Sequence, residues 1–130
     1  MHYVSTRNSA TQVDFEKVVL SGIAEDGGLF VPFELPLFEP QDMANWSILA
    51  YDELAYRVMS PFVGRAIPDV DLKRMLKEAS RRFSHRSVAP LHQVDRNEWV
   101  LELFHGPTGS SKDFAAQLQA QLVQYFLHKR

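Results

Sequence analysis

The chain has 130 residues, 45% of them hydrophobic and 23% charged, with a net charge of −2. That suits one domain with a buried core and leaves no basic stripe for nucleic acid. The absence of cysteine excludes disulfides, thiolate zinc sites and thiol catalysis, and fits a reducing compartment.

Residues 1–10 lack the basic-then-apolar order of a signal peptide. No apolar run approaches the ~20 residues of a membrane span, so a cytoplasmic protein without a membrane partner is expected. Residues 2–6 read as a strand. Residues 13–24 carry apolar side chains at Phe15, Val18, Val19 and Ile23, which is helical spacing, with Asp14 near the start. Asp26-Gly27-Gly28 breaks the chain, Leu29-Phe30-Val31 reads as a short strand, and residues 33–40 read as loop. A helix over 51–63 presents Leu54, Ala55, Val58, Met59 and Phe62. Pro61 is expected to kink or shorten its last turn, and Gly64 ends it. Pro68 and Asp69 open a helix to about residue 83, with Val70, Leu72, Met75, Leu76 and Ala79 apolar. Residues 90–94 and 98–104 read as strands of a hairpin turned at Asp95-Arg96-Asn97. The last helix runs over about 111–128, with Phe114, Leu118, Leu122 and Phe126 four apart. The fold class is α+β, a small mixed sheet with about four helices, the hairpin extending the sheet. The last helix is expected to be loosely held unless its apolar stripe finds a home.

The chemistry concentrates where the second hairpin strand meets the last helix. Gly106-Pro107-Thr108-Gly109-Ser110-Ser111-Lys112-Asp113 links them. A nucleotide phosphate loop needs Gly-Lys-Ser/Thr at its end, and here Ser111 and Asp113 flank Lys112 instead. An aspartate in the place of the magnesium-holding hydroxyl would repel phosphates. A lysine at a helix start is mismatched to the local positive charge. Burial and that charge would favour the neutral amine, the form that makes imines. Hydroxyls at Thr108, Ser110 and Ser111 and the N–H groups of the helix start are candidate anion ligands. The plain alternative is a solvated first-turn lysine paired with Asp113, and spacing alone favours it.

Other residues read as structural. Arg81, Arg82, His85 and Arg86 form a solvated helix end. His85 and His92 lack the carboxylates of a metal site, and no metal is expected. His105 is either a loop histidine bonded to backbone or a catalytic one. Asp52-Glu53 and Asp69/Asp71 suit helix starts. Trp46 and Trp99 suit packing.

Phe104-His105-Gly106-Pro107-Thr108, three residues, then Lys112-Asp113 resembles the pyridoxal-phosphate lysine segment of the threonine synthase family. Met1-His-Tyr-Val-Ser-Thr-Arg7, Gly22-Ile-Ala-Glu-Asp-Gly-Gly-Leu-Phe-Val-Pro32, Tyr51-Asp-Glu-Leu-Ala55, Pro61-Phe-Val-Gly64 and Glu102-Leu-Phe104 resemble that family's other landmarks, in its order. The resemblance implies the N-terminal part of a fold-type II, tryptophan-synthase-β-like lyase of threonine biosynthesis. It divides the chain into an N-terminal domain over 1–86 and the first elements of a catalytic domain over 87–130. The implied reaction converts O-phospho-L-homoserine and water to L-threonine and phosphate with pyridoxal 5′-phosphate. Lys112 would hold the cofactor as a Schiff base and move protons. Ser111 and Asp113, with Thr108 and Ser110, are cofactor-binding candidates by proximity. A monomer is expected, and the 130 residues alone are expected to be inactive, since family chains are several times longer. A phospho-lyase that does not form threonine and a non-catalytic interaction domain are the alternatives. Gly109-Ser110-Ser111 departs from the family's bulky-Ala-Phe pattern, as a native variation or an introduced polar replacement.

Overall fold

The computed structural model describes residues 1–129. Three short strands open the fold: β1 (Tyr3–Ser5), β2 (Gln12–Val13) and β3 (Phe30–Pro32). They form one sheet in the order β2-β1-β3, both pairs antiparallel, with Val4 opposite Val31 and Tyr3 opposite Val13. Between β2 and β3 lies helix α1 (Phe15–Ser21), started by the Asp14 carboxylate, which accepts from Lys17 N–H at 2.8 Å.

Helix α2 (Pro40–Trp46) was not expected from the sequence, because prolines at 36 and 40 read as loop. Pro40 occupies the first helical position, where no N–H is needed and its fixed φ suits a helix. Phe38 and Trp46 pack edge to face across it at 5.2 Å. Helix α3 (Tyr51–Val63) has the predicted bounds, with Pro61 inside its last turn and Gly64 at φ 59 as its stop. Near that end the Tyr3 hydroxyl donates to Phe62 O at 2.7 Å, satisfying a carbonyl that the helix leaves free. Helix α4 (Asp69–Ser80) follows, then a hairpin of β4 (Leu91–Asp95) and β5 (Glu98–Leu101), then helix α5 (Asp113–His128).

Mixed α and β structure is as expected, but three details differ. The described residues contain five helices. The hairpin is a separate two-stranded sheet and does not extend the first one. All strand pairs are antiparallel, so the sheet is not of mixed direction.

One core unites the chain. Tyr3, Phe15, Val63, Ile67, Leu72, Met75, Leu76, Ala79, Leu118, Leu122 and Phe126 form a single buried cluster. Phe15 packs edge to face on Phe126 at 6.2 Å and against Tyr3 at 6.1 Å. Phe126 is fully buried, so α5 is held by α1 and α4; the loose helix expected from the sequence is corrected by this packing. Gln121 adds a bond to Met75 O at 3.1 Å. Val70 and Ile23, expected on apolar faces, are exposed: Val70 lies off the stripe of α4, and Ile23 lies beyond the end of α1. Trp99, expected to pack, is also exposed on the hairpin.

Candidate functional site at the Gly106–Asp113 loop

The candidate residues come together between β5 and α5. Lys112 occupies the N-cap of α5 with a helical backbone, φ −67 and ψ −18, and its side chain is exposed. The burial invoked for a neutral amine is therefore absent in this chain. Lysine has no acceptor to cap a helix, so the work of capping passes to its neighbours. Ser110 Oγ accepts from Lys112 N–H at 3.2 Å, and Ser110 O accepts from Asp113 N–H at 3.0 Å.

Asp113 is the buried residue of the site, only 3% exposed. Its carboxylate accepts from Thr108 N–H at 2.9 Å and from the Thr108 hydroxyl at 2.9 Å. The Thr108 hydroxyl is therefore spent as a donor, whereas Ser111 is exposed and its hydroxyl has no partner among the described residues. A side chain on Gly106 would overlap the Asp113 carboxylate, so the turn requires glycine there. Gly106 O in turn accepts from Gly109 N–H at 3.1 Å, and Gly109 sits at φ 72. The N–H groups of Ser110 and Ser111 have no acceptor among the described residues. Two free donors, a free hydroxyl and an amine within three consecutive residues suit an anionic aldehyde such as pyridoxal phosphate.

A second cluster stands just before the loop. His105 Nε2 lies 2.7 Å from Glu102 Oε2, both side chains largely buried. The His105 ring packs at a tilt on His85 at 5.0 Å and on Phe104 at 4.6 Å. Ser84 N–H and Oγ–H both donate to His105 O, at 2.9 and 3.2 Å. The segment after α4 is thus pinned to the loop that carries Lys112. Sequence reasoning offered His105 a backbone bond or catalysis and missed its carboxylate partner. The three-residue spacing from Glu102 was the available signal. His92, by contrast, lies on exposed β4, opposite Val100.

Beyond the hairpin, a groove of about 860 Å³ runs between α4 and α5, lined by Arg74, Arg81, Arg82, Tyr125, His128 and Lys129 among others. It does not include Lys112.

Comparison with known proteins bears on this site. A sequence profile described as threonine synthase N terminus matches residues 2–80. The threonine synthase of Pseudomonas aeruginosa is 53% identical over all 130 residues, which are 28% of that protein. Threonine synthase-like 2 of Pongo abelii is 43% identical over 131 aligned positions, covering 100% of this chain and 27% of that one. Among solved structures, PLP-bound threonine synthase from Brucella melitensis superposes with a TM-score of 0.96 at 46% identity, over 100% of this chain and 28% of that chain. The chain thus spans little more than a quarter of the length of these relatives. The match over more than half of the chain, with an equivalent fold throughout, establishes that it belongs to the threonine synthase N-terminus family.

Proposed function

We propose that this chain serves as the N-terminal part of a pyridoxal-phosphate-dependent threonine synthase, a lyase acting on O-phospho-L-homoserine. The observation that carries the reading is the set of groups at residues 110–112. Lys112 follows two N–H groups and a hydroxyl without partners among the described residues, in a loop fixed by Asp113. The cofactor, when bound, supplies the electron sink for elimination and hydration. Lys112 Nζ would hold that group through its aldehyde carbon and, when free, would take and return protons at the substrate carbons. Ser111 offers its hydroxyl and N–H to the cofactor. Residues 1–86 act as the N-terminal domain and residues 87–130 as the first elements of the catalytic domain. The exposed β4 and β5 fit this reading, since strands apolar on both faces need cover. Since the chain spans 28% of the Pseudomonas relative, the 130 residues alone are expected to make no threonine.

The test is a chimera in which this chain replaces the matching segment of Pseudomonas aeruginosa threonine synthase. Threonine and phosphate from O-phosphohomoserine, lost in the Lys112→Ala chimera, support the reading. Undiminished threonine formation by Lys112→Ala refutes the assignment of the lysine. A second reading, a phospho-lyase that releases phosphate without threonine, has support in the 43% identity to threonine synthase-like 2 of Pongo abelii. Phosphate without threonine from the chimera would favour it.

A further inference from the structure

We propose that Asp113 is the positioning residue for Lys112: its buried carboxylate, seated over Gly106 and held by Thr108, fixes the loop that presents the lysine amine. The inference rests on the reading of Lys112 above and concerns how that lysine is held. Proximity in the motif suggested Asp113 as a ligand of the cofactor. The structure instead turns its carboxylate inward, with both oxygens within 3.0 Å of the Thr108 hydroxyl and one accepting the Thr108 N–H.

Four observations converge. The helix begins on a lysine, which cannot cap it, so nothing in Lys112 itself fixes where α5 starts. Asp113 sits at the first helical position, where a carboxylate is favoured by the local positive charge. Its bonds reach five residues back, closing Thr108 to Asp113 into a ring that contains Ser110, Ser111 and Lys112. Gly106 completes the seat, because any β-carbon there would overlap the carboxylate. The clamp thus leaves the Ser110 and Ser111 N–H groups, in the two residues before Lys112, without an acceptor among the described residues. With the clamp gone, the loop is free to fold back and spend those donors internally.

Geometry, not charge, is what the clamp requires, and the conservative variant separates the two. An asparagine at 113 accepts the Thr108 N–H through its carbonyl oxygen and donates to the Thr108 hydroxyl through its amide. Asp113→Asn therefore preserves the ring, and Asp113→Ala abolishes it. The 130-residue chain is incubated with pyridoxal phosphate. Imines are reduced with borohydride, which delivers hydride to the C=N carbon, and the labelled lysines are mapped by mass spectrometry. Lys17, Lys73, Lys77 and Lys129 are the internal references. In the parent chain, label at Lys112 is expected to exceed the reference mean by about tenfold, the order that one or two well-placed hydrogen bonds confer. Asp113→Ala is expected to bring Lys112 down to the reference level with the amides of Leu122 and Phe126 still protected from exchange. Asp113→Asn is expected to stay near the parent value.

A preference that survives Asp113→Ala overturns the positioning role and leaves the Lys112 reading standing. Loss of preference in Asp113→Asn, equal to that in Asp113→Ala, also overturns it and points to a charge contact with the cofactor. Equal labelling of all lysines in the parent chain overturns the Lys112 reading and this inference with it. Thr108→Val covers a fold failure of Asp113→Ala, since it keeps the carboxylate and the helix and removes only the hydroxyl donor. Unchanged preference in that variant overturns the proposal, and a reduced one supports it.

Discussion

The β4–β5 hairpin and helix α5 flank the same loop and meet opposite fates. Every residue of β4 and β5 is exposed. Helix α5 buries Leu118, Leu122 and Phe126 in the core shared with α1 and α4. Both segments carry apolar side chains, so composition does not separate them. Periodicity does: a stripe four residues apart finds the complementary faces of two helices, whereas a lone two-stranded ribbon has no third element to cover it. The Lys112 loop therefore joins an anchored helix to an exposed hairpin, with His105 tied to Ser84 between them. Its helix end is set by Asp113.

The strongest way to break this contrast is at the anchor. Phe126→Ala removes a fully buried ring that touches Phe15 and is expected to cost about 3–5 kcal/mol. Urea unfolding reads the loss. A cost below about 1 kcal/mol would mean that α5 does not share the core in solution. Amide exchange sharpens the same point: Leu122 and Phe126 should be protected as well as the middle of α3, and β4 should exchange far faster.

The loop itself comes next in size. Gly106→Ala forces a methyl against the Asp113 carboxylate and should destabilise by about 1–3 kcal/mol. The Thr108 amide should lose protection before those of the core. Retained Thr108 protection would show that the turn relaxes without releasing its clamp.

A related device in the sheet gives a smaller effect and a control. Asp26 accepts from Gly28 N–H at 2.8 Å and from the Ser5 hydroxyl at 2.7 Å, and Gly28 is packed so closely on Ser5 that a side chain would overlap it. Asp26, unlike Asp113, is exposed. The Gly28 N–H first, then the Ser5 hydroxyl, hold its carboxyl below the ordinary carboxylate value. A lowered folded value means that the stabilisation is complete above the unfolded value and fades as pH falls through the folded one. Between about pH 5 and pH 2, Asp26→Asn should flatten the acid-side fall in urea midpoint. An unchanged profile would assign that fall to other carboxylates.

Much of this contrast was legible in the sequence, and the misses have physical causes. The 51–63 helix was readable to its ends because Gly64 supplies a left-handed stop. The α5 stripe was readable from its spacing. Its burial was not, since that depends on Phe15 and Leu72, distant in sequence. Helix α2 hid behind Pro40, which breaks a helix interior and suits a helix start. In the site, Lys112 stood out by its mismatch with a helix N-terminus, but local pattern assigned Asp113 to the lysine or the cofactor. Which way a carboxylate turns depends on the space above Gly106, a three-dimensional property. The Glu102–His105 pair was missed because its three-residue spacing, the one signal available, fixes a contact on a helix and not at a strand end.

The smallest expected effect falls on the unsupported side. Trp99, 56% exposed, faces Gln93 across the hairpin register and has no aromatic partner among the described residues. Trp99→Ser should change stability by no more than about 0.5 kcal/mol, the range of surface substitutions. Its emission should be that of a solvated indole, and removing it should leave the spectrum of Trp46, which packs on Phe38. Leu91, Val94, Val100 and Leu101 are exposed alongside it. If Trp99→Ser instead costs more than about 2 kcal/mol, and the cost grows with protein concentration, the hairpin is covered by a second copy in solution. The contrast with α5 would then describe the lone chain and not its solution state, a distinction that sedimentation of the parent and variant at two concentrations reads directly.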